Sequence, residues 1–143
     1  MKAVLLDTGP LVALLDAGDS AHRFVKEHLG ELGGRVLTTG AIVTEAMFHL
    51  QDVRGGPERL VHFLDELQAE IVDVFDQGSL KAAFSLMETY RQIPMDFGDA
   101  TLVVLAARFD CPDILTLDER GFRTFRYGRS KRFHLLLQDR RPL

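Results

Sequence analysis

Short apolar runs alternate with longer amphipathic stretches along the chain, and each run ends on a polar or turn-forming residue. Residues 2–6 form the first run, stopped by Asp7, and read as a buried strand. Asp7-Thr8-Gly9-Pro10 then reads as strand end, cap and helix start, because proline suits a first helical turn whose amide has no partner to lose. That helix is expected to run through Leu15, and Ser20 to cap a second one to about Leu32, closed by Gly33-Gly34. A strand over 35–38 and a helix from Gly40 to about Gln51 come next. Gly55-Gly56-Pro57 separates these from a helix over 58–69, a strand over 71–75 and a helix over 79–91. Asp96 is expected to cap the apolar helix 97–109, ahead of a fourth strand over 114–117. Gly121 and Gly128 then punctuate 122–137, which predicts a short hairpin or edge strands. Strands alternating with helices predict an α/β fold whose mainly parallel sheet is covered on both faces.

Composition narrows this picture without redirecting it. At 143 residues, with 46% hydrophobic and 27% charged positions, the chain has the size and balance of a soluble globular unit. It carries no repeat or low-complexity tract, so 1–143 is expected to be a single domain. No apolar stretch approaches the ~20 residues of a membrane span. Asp7 breaks the first apolar run too early for a secretory signal, so the expected location is cytoplasmic. Cys111 is the only cysteine, which excludes an intrachain disulfide and a cysteine-rich zinc site. Charge is the uneven feature. Residues 1–118 carry nineteen acids against nine bases, and 119–143 two acids against eight bases. A basic end of this kind points to nucleic acid or to a solvated edge.

The carboxylates are more specific. In an open parallel sheet ligands bind beyond the carboxyl ends of the strands. Asp7 and Asp118 both fall at such ends, although each also suits a cap for the helix or turn after it. Glu45 has Ala41, Ile42, Phe48 and His49 one turn away, which sets it beside a buried stripe. A buried carboxylate needs a partner, a proton or a metal, and His49 is one available partner. Asp99 opens the segment ATLVVLAA, apolar nearly all round, yet it also fits the acidic third position behind an Asp96 cap. Four acids at one end of a sheet, with no lysine or arginine adjacent to Asp7, Glu45 or Asp99, would repel unless a cation neutralised them. Hard oxygen ligands suit Mg2+ or Mn2+, ions that bind phosphates and assist phosphodiester hydrolysis.

The segments LLDTGPLVALLD, TTGAIVTEAMFHL, MDFGDATLVVLAAR and ILTLDERGF resemble, in order and spacing, the acidic blocks of the PIN-domain ribonucleases. The likeness spans 1 to about 137 and is closest to the small VapC toxins of VapBC toxin–antitoxin pairs. It implies a PIN-like three-layer α/β/α sandwich with a mainly parallel central sheet. It further implies that Asp7, Glu45, Asp99 and Asp118 are catalytic and hold Mg2+ or Mn2+ for hydrolysis of single-stranded RNA, leaving a 5′ phosphate and a 3′ hydroxyl. Thr8 matches a hydroxyl that orients the first aspartate or a water, and Asp96 an extra acid found in some members. Asp118 matches the acid most variable in role. The partners implied are structured or single-stranded RNA, a cognate antitoxin and a second copy in a homodimer. PIN domains also act in RNA processing without an antitoxin, and some are kept only as binding or scaffold modules.

Outside those blocks, Arg129, Lys131 and Arg132 lie together around the Gly128 turn and are candidates for contact with the RNA backbone. The alternatives are a charged edge that discourages strand pairing and a dock for an acidic antitoxin segment. The histidines form no H-E-x-x-H, and neither a P-loop nor a G-x-G-x-x-G is present. A phosphatase-like or receiver-like domain also starts with an aspartate after its first strand, but Gly9 stands where a phosphatase would carry its second acid.

Overall fold

The computed structural model describes residues 2–29 and 34–139. Strand β1 (Ala3–Leu6) leads into helices α1 (Thr8–Leu15) and α2 (His22–His28), and β2 (Arg35–Thr39) into α3 (Gly40–Leu50) and α4 (Gly56–Glu66). After β3 (Glu70–Val72) come α5 (Gln77–Thr89), α6 (Phe97–Phe109) and β4 (Asp113–Leu115). The chain closes with α7 (Glu119–Thr124), β5 (Arg126–Tyr127), β6 (Lys131–Arg132) and β7 (His134–Leu135). Five strands form one sheet in the order β3-β2-β1-β4-β7, and every neighbouring pair is parallel. Leu5, Leu37 and Ile114 are fully buried in its middle strands, with Ile42, Leu102 and Leu105 from the flanking helices completing the core. This is the α/β arrangement that the alternation predicts, with β5 and β6 as a separate antiparallel hairpin.

The differences from the sequence reading lie at element ends and near the C-terminus. Ser20 does not cap α2; Ala21 is the N-cap residue, and the Asp19 carboxylate accepts from the Ala21 amide instead. The expected end of that helix, to Leu32 and Gly33, falls among residues 30–33, outside the described residues. Helix α4 starts two residues early because Gly55 turns with φ of 69°, a left-handed value that costs glycine little. Residues 119–124 form a short helix that the sequence reading did not contain, since Gly121 weakens its helical pattern. Of the hairpin or edge strands expected over 122–137 the structure holds both, since β5 pairs with β6 and β7 joins the main sheet as its edge strand beside β4.

Candidate active site

The chain runs from β1 outward through β2 and β3, then crosses back to lay β4 on the other side of β1. The order of strands therefore reverses between β1 and β4, and a crevice opens where their carboxyl ends diverge. Asp7 comes directly after β1 at that point, and Thr116 to Asp118 come after β4 beside it, joined by the Asp7 amide donating to the Leu115 carbonyl at 3.0 Å. Helix α3 brings Glu45, and the start of α6 brings Asp96 and Asp99. Asp7, Glu45, Asp96, Asp99, Leu117 and Asp118 line one cleft of about 530 Å³, together with Thr8, Asp19 and His49. Among the described residues no lysine or arginine lines it.

Depth varies across the acids. Asp7 and Asp99 are buried, Glu45 is half-buried, and Asp96 and Asp118 are exposed at the mouth. Asp7 is fixed at both oxygens: Oδ1 accepts from the Thr8 amide at 2.8 Å, and Oδ2 from the Thr116 hydroxyl at 2.7 Å. The same Thr116 oxygen accepts from the Asp118 amide at 3.0 Å, so one hydroxyl ties the end of β4 to the Asp7 carboxylate. Thr8 donates its hydroxyl to Glu45 Oε2 at 3.2 Å, coupling α1 to α3. Gly98 permits the close approach of that glutamate, since a Cβ there would sit 3.1 Å from Glu45 Oε2 and 3.4 Å from Asp96 Oδ1. Asp96 and Asp99 make a reciprocal capping box. Asp96 Oδ1 accepts from the Asp99 amide at 2.8 Å, and Asp99 Oδ2 from the Asp96 amide at 3.2 Å. Among the described residues, no hydrogen bond reaches the second oxygen of either. Asp118 caps α7 by accepting from the Gly121 amide at 3.0 Å, and Gly121 is needed because that carboxylate lies over its Cα.

Burial and like charge raise the proton affinity of the two deepest acids. Desolvation pushes Asp7 up to about 6, against the hydrogen bonds from Thr116 and Thr8, with the Asp96 and Glu45 charges adding to the rise. Asp99 is pushed up to about 8, first by burial and then by Asp96, Asp7 and Asp118. Crowding and burial thus favour the protonated form of its deepest acids in the absence of a cation, and the cleft's donors, at the positive end of a helix, are hard oxygens apart from His49. Those donors fit Mg2+ or Mn2+. Among the described residues no three of them are gathered as a complete ligand set.

The structure brings Asp7, Thr8, Glu45, Asp96, Asp99 and Asp118 to one cleft. The capping roles considered for Asp7, Asp96, Asp99 and Asp118 are also real, so each acid does local and shared work. Glu45 meets Thr8 and not His49. Arg129, Lys131 and Arg132 lie elsewhere. Lys131 Nζ bonds Asp110 Oδ1 at 2.6 Å at the C-terminal end of α6, some ~20 Å along the helix from Asp96. Thr116 and Asp19 escaped the sequence reading. For Thr116 the available signal was its place two residues before an acid at a strand end; for Asp19 there was none beyond an acidic loop.

Comparison with known proteins points the same way. A PIN-domain family model matches residues 4–126. Ribonuclease VapC26 of Mycobacterium tuberculosis is 28% identical over 125 residues, covering 86% of this chain and 92% of that protein. The crystal structure of VapC20 from the same organism, a sarcin–ricin loop cleaving toxin, shares the fold with a TM-score of 0.67 at 18% identity. That likeness covers 85% of this chain and 95% of the other. The family match runs from β1 to the first residue of β5 and takes in all the acids that converge at the crevice, and the chain belongs to the PIN-domain family.

Proposed function

We infer that the chain is a divalent-cation-dependent endoribonuclease that hydrolyses phosphodiester bonds in single-stranded RNA. The observation that carries this reading is the cleft itself: carboxylates from four separate segments line it at the topological switch point, and among the described residues no lysine or arginine does. Asp7, Asp99, Glu45 and Asp118 would hold Mg2+ or Mn2+, with Asp96 as an outer acid. A bound ion of that kind would supply Lewis acidity for water activation and offset charge on the scissile phosphate.

The chain's own contribution is positioning. Thr116 holds Asp7 at a fixed angle against β4, and Thr8 holds Glu45 towards Asp7. The capping box fixes Asp96 and Asp99 on the first turn of α6, leaving one oxygen of each for the cleft. With these carboxylates set, water attacks phosphorus as the bond to the 3′ oxygen breaks, its oxygen stays on the 5′ phosphate, and a proton passes to the 3′ oxygen to leave a hydroxyl.

The similarity to proteins named VapC supports a finer reading, in which this chain is the toxin of a toxin–antitoxin pair and acts in the cytoplasm. A cognate antitoxin and a homodimer belong to that reading. Among the described residues no helix is long and apolar enough to cross a membrane.

The decisive experiment is cleavage of a labelled single-stranded RNA pool in Mg2+ or Mn2+ and in EDTA, by the wild type and by Asp7→Asn. Cutting that requires the ion and falls by more than ~100-fold in the variant is expected, as for loss of a group on which the chemistry depends. Equal cutting by both proteins would remove Asp7 from the site. Co-purification with the product of an adjacent small gene tests the toxin assignment, and its absence would favour an RNA-processing nuclease.

A further inference from the structure

Beside the acidic cleft a second groove runs between α3, the segment just before α5 and the start of α6. Its apolar walls are mainly aromatic: Phe48, Phe75 and Phe97 line it with Ala41, and among the described residues no leucine, isoleucine, valine or methionine does. Phe48 is 66% exposed and Phe75 50% exposed, so the core requires neither ring. The Phe75 and Phe97 rings stand 6.1 Å apart with 33° between their planes. Exposed aromatic faces gathered in one place are unfavourable in water and mark a contact surface.

The groove is continuous with the cleft, because Glu45 and Asp96 belong to the walls of both. A polymer lying over the acids therefore passes into the groove. Among the described residues no lysine or arginine lines the groove to attract a phosphate, while Glu45 and Asp96 repel one. An unpaired nucleobase is uncharged and planar, and stacks on phenyl faces regardless of its identity. Aliphatic peptide side chains would be served as well by leucine or valine walls, which the groove lacks.

We propose that Phe48, Phe75 and Phe97 form a base-stacking subsite holding an unpaired nucleotide next to the phosphodiester that lies over Asp7 and Asp99. The subsite rests on the ribonuclease reading above, and it assigns the selection of unpaired RNA to these rings rather than to the acids. Stacking here sets KM, and the carboxylates set kcat.

The test uses the full chain and an RNA pool carrying 2-aminopurine, read in two ways. Cleavage in Mn2+ gives KM and kcat, and fluorescence quenching in an Asp7→Asn background reports stacking without turnover. Phe48→Ala and Phe75→Ala are each expected to raise KM by about 5- to 100-fold with little change in kcat, and to lose quenching. Phe48→Tyr, which keeps the ring, recovers both, and melting temperatures confirm that the alanine variants are folded. Unchanged KM and quenching in both alanine variants overturn the subsite while leaving the nuclease intact; if those variants lose self-association or a protein partner instead, the groove is a protein interface. Quenching by a wild type that never cuts supports the subsite and overturns the nuclease reading. Neither quenching nor cutting overturns both.

Discussion

Thr116 illustrates how much of the site depends on a single uncharged side chain. Its hydroxyl donates to Asp7 and accepts from the Asp118 amide, so it orients one acid and the backbone of another. Thr116→Val keeps the shape and deletes both bonds. The expected outcome is a 10- to 100-fold loss of Mn2+ affinity, the usual scale for removing a group that orients a metal ligand, measured by titration calorimetry. Part of that loss has an electrostatic cause, because the bond from Thr116 holds the Asp7 proton affinity down. The raised values of Asp7 and Asp99 also fix a pH dependence. Both carboxyls bind protons more tightly folded than unfolded, so their contribution to stability is complete below pH 3.8 and is lost as pH rises through about 6 and about 8. Without divalent ions, the melting temperature is expected to fall between pH 5 and pH 8, at a cost on the order of 1 kcal/mol per pH unit. Asp99→Asn should flatten that slope, and Mn2+ should raise the melting temperature more at pH 8 than at pH 5, where it competes with protons. Scanning calorimetry at the two pH values checks both.

Helix α6 carries two kinds of information at its first turn. Asp96 caps it and Asp99 completes the capping box, while the same two acids face the cleft. Substitutions separate the roles: Asp96→Ser retains a capping oxygen and removes the charge, whereas Asp96→Ala removes both. Asp96→Ala is expected to destabilise the chain by ~1 kcal/mol in urea denaturation, and Asp96→Ser by much less. Cleavage that falls equally in both would assign Asp96 a part in the chemistry; cleavage that falls only in Asp96→Ala would leave it a cap. The helix itself was legible to the residue in the sequence, because a capping aspartate precedes an apolar segment; in the structure Asp110 ends it in a left-handed conformation. Helix α7 was not legible. Its six residues include Gly121, and the Asp118 carboxylate that folds over that glycine holds the turn. An edge strand was expected in this region, but the bounds and partner of β7 were hidden, since its two residues pair with β4 through a contact twenty-one positions away in sequence. Periodicity reports the face an element buries, and elements this short have too little of it.

At the scale of the whole molecule, the two charged regions are held apart by the length of α6. The acids at its N-terminal end were legible as a group, because a parallel sheet sends the ends of its strands to one edge. The position of the basic turn was not, because it depends on how the hairpin β5–β6 folds back against the far end of that helix. There Lys131 is paired with Asp110 and stands 5.9 Å from the Tyr127 ring centroid, while Arg129 and Arg132 remain exposed. An RNA short enough to occupy only the cleft and its aromatic groove would not reach them across some ~20 Å. A longer strand would, and each phosphate it neutralised would steepen the salt dependence of binding. Arg129→Ala with Arg132→Ala should therefore leave the cleavage of a short oligonucleotide unchanged. On a long RNA the same pair should raise KM and lower the slope of log KM against log salt by roughly one to two. An equal effect on both lengths would mean that the hairpin acts through the fold; no effect on either would leave these arginines as a charged edge, guarding the hairpin against pairing with another sheet.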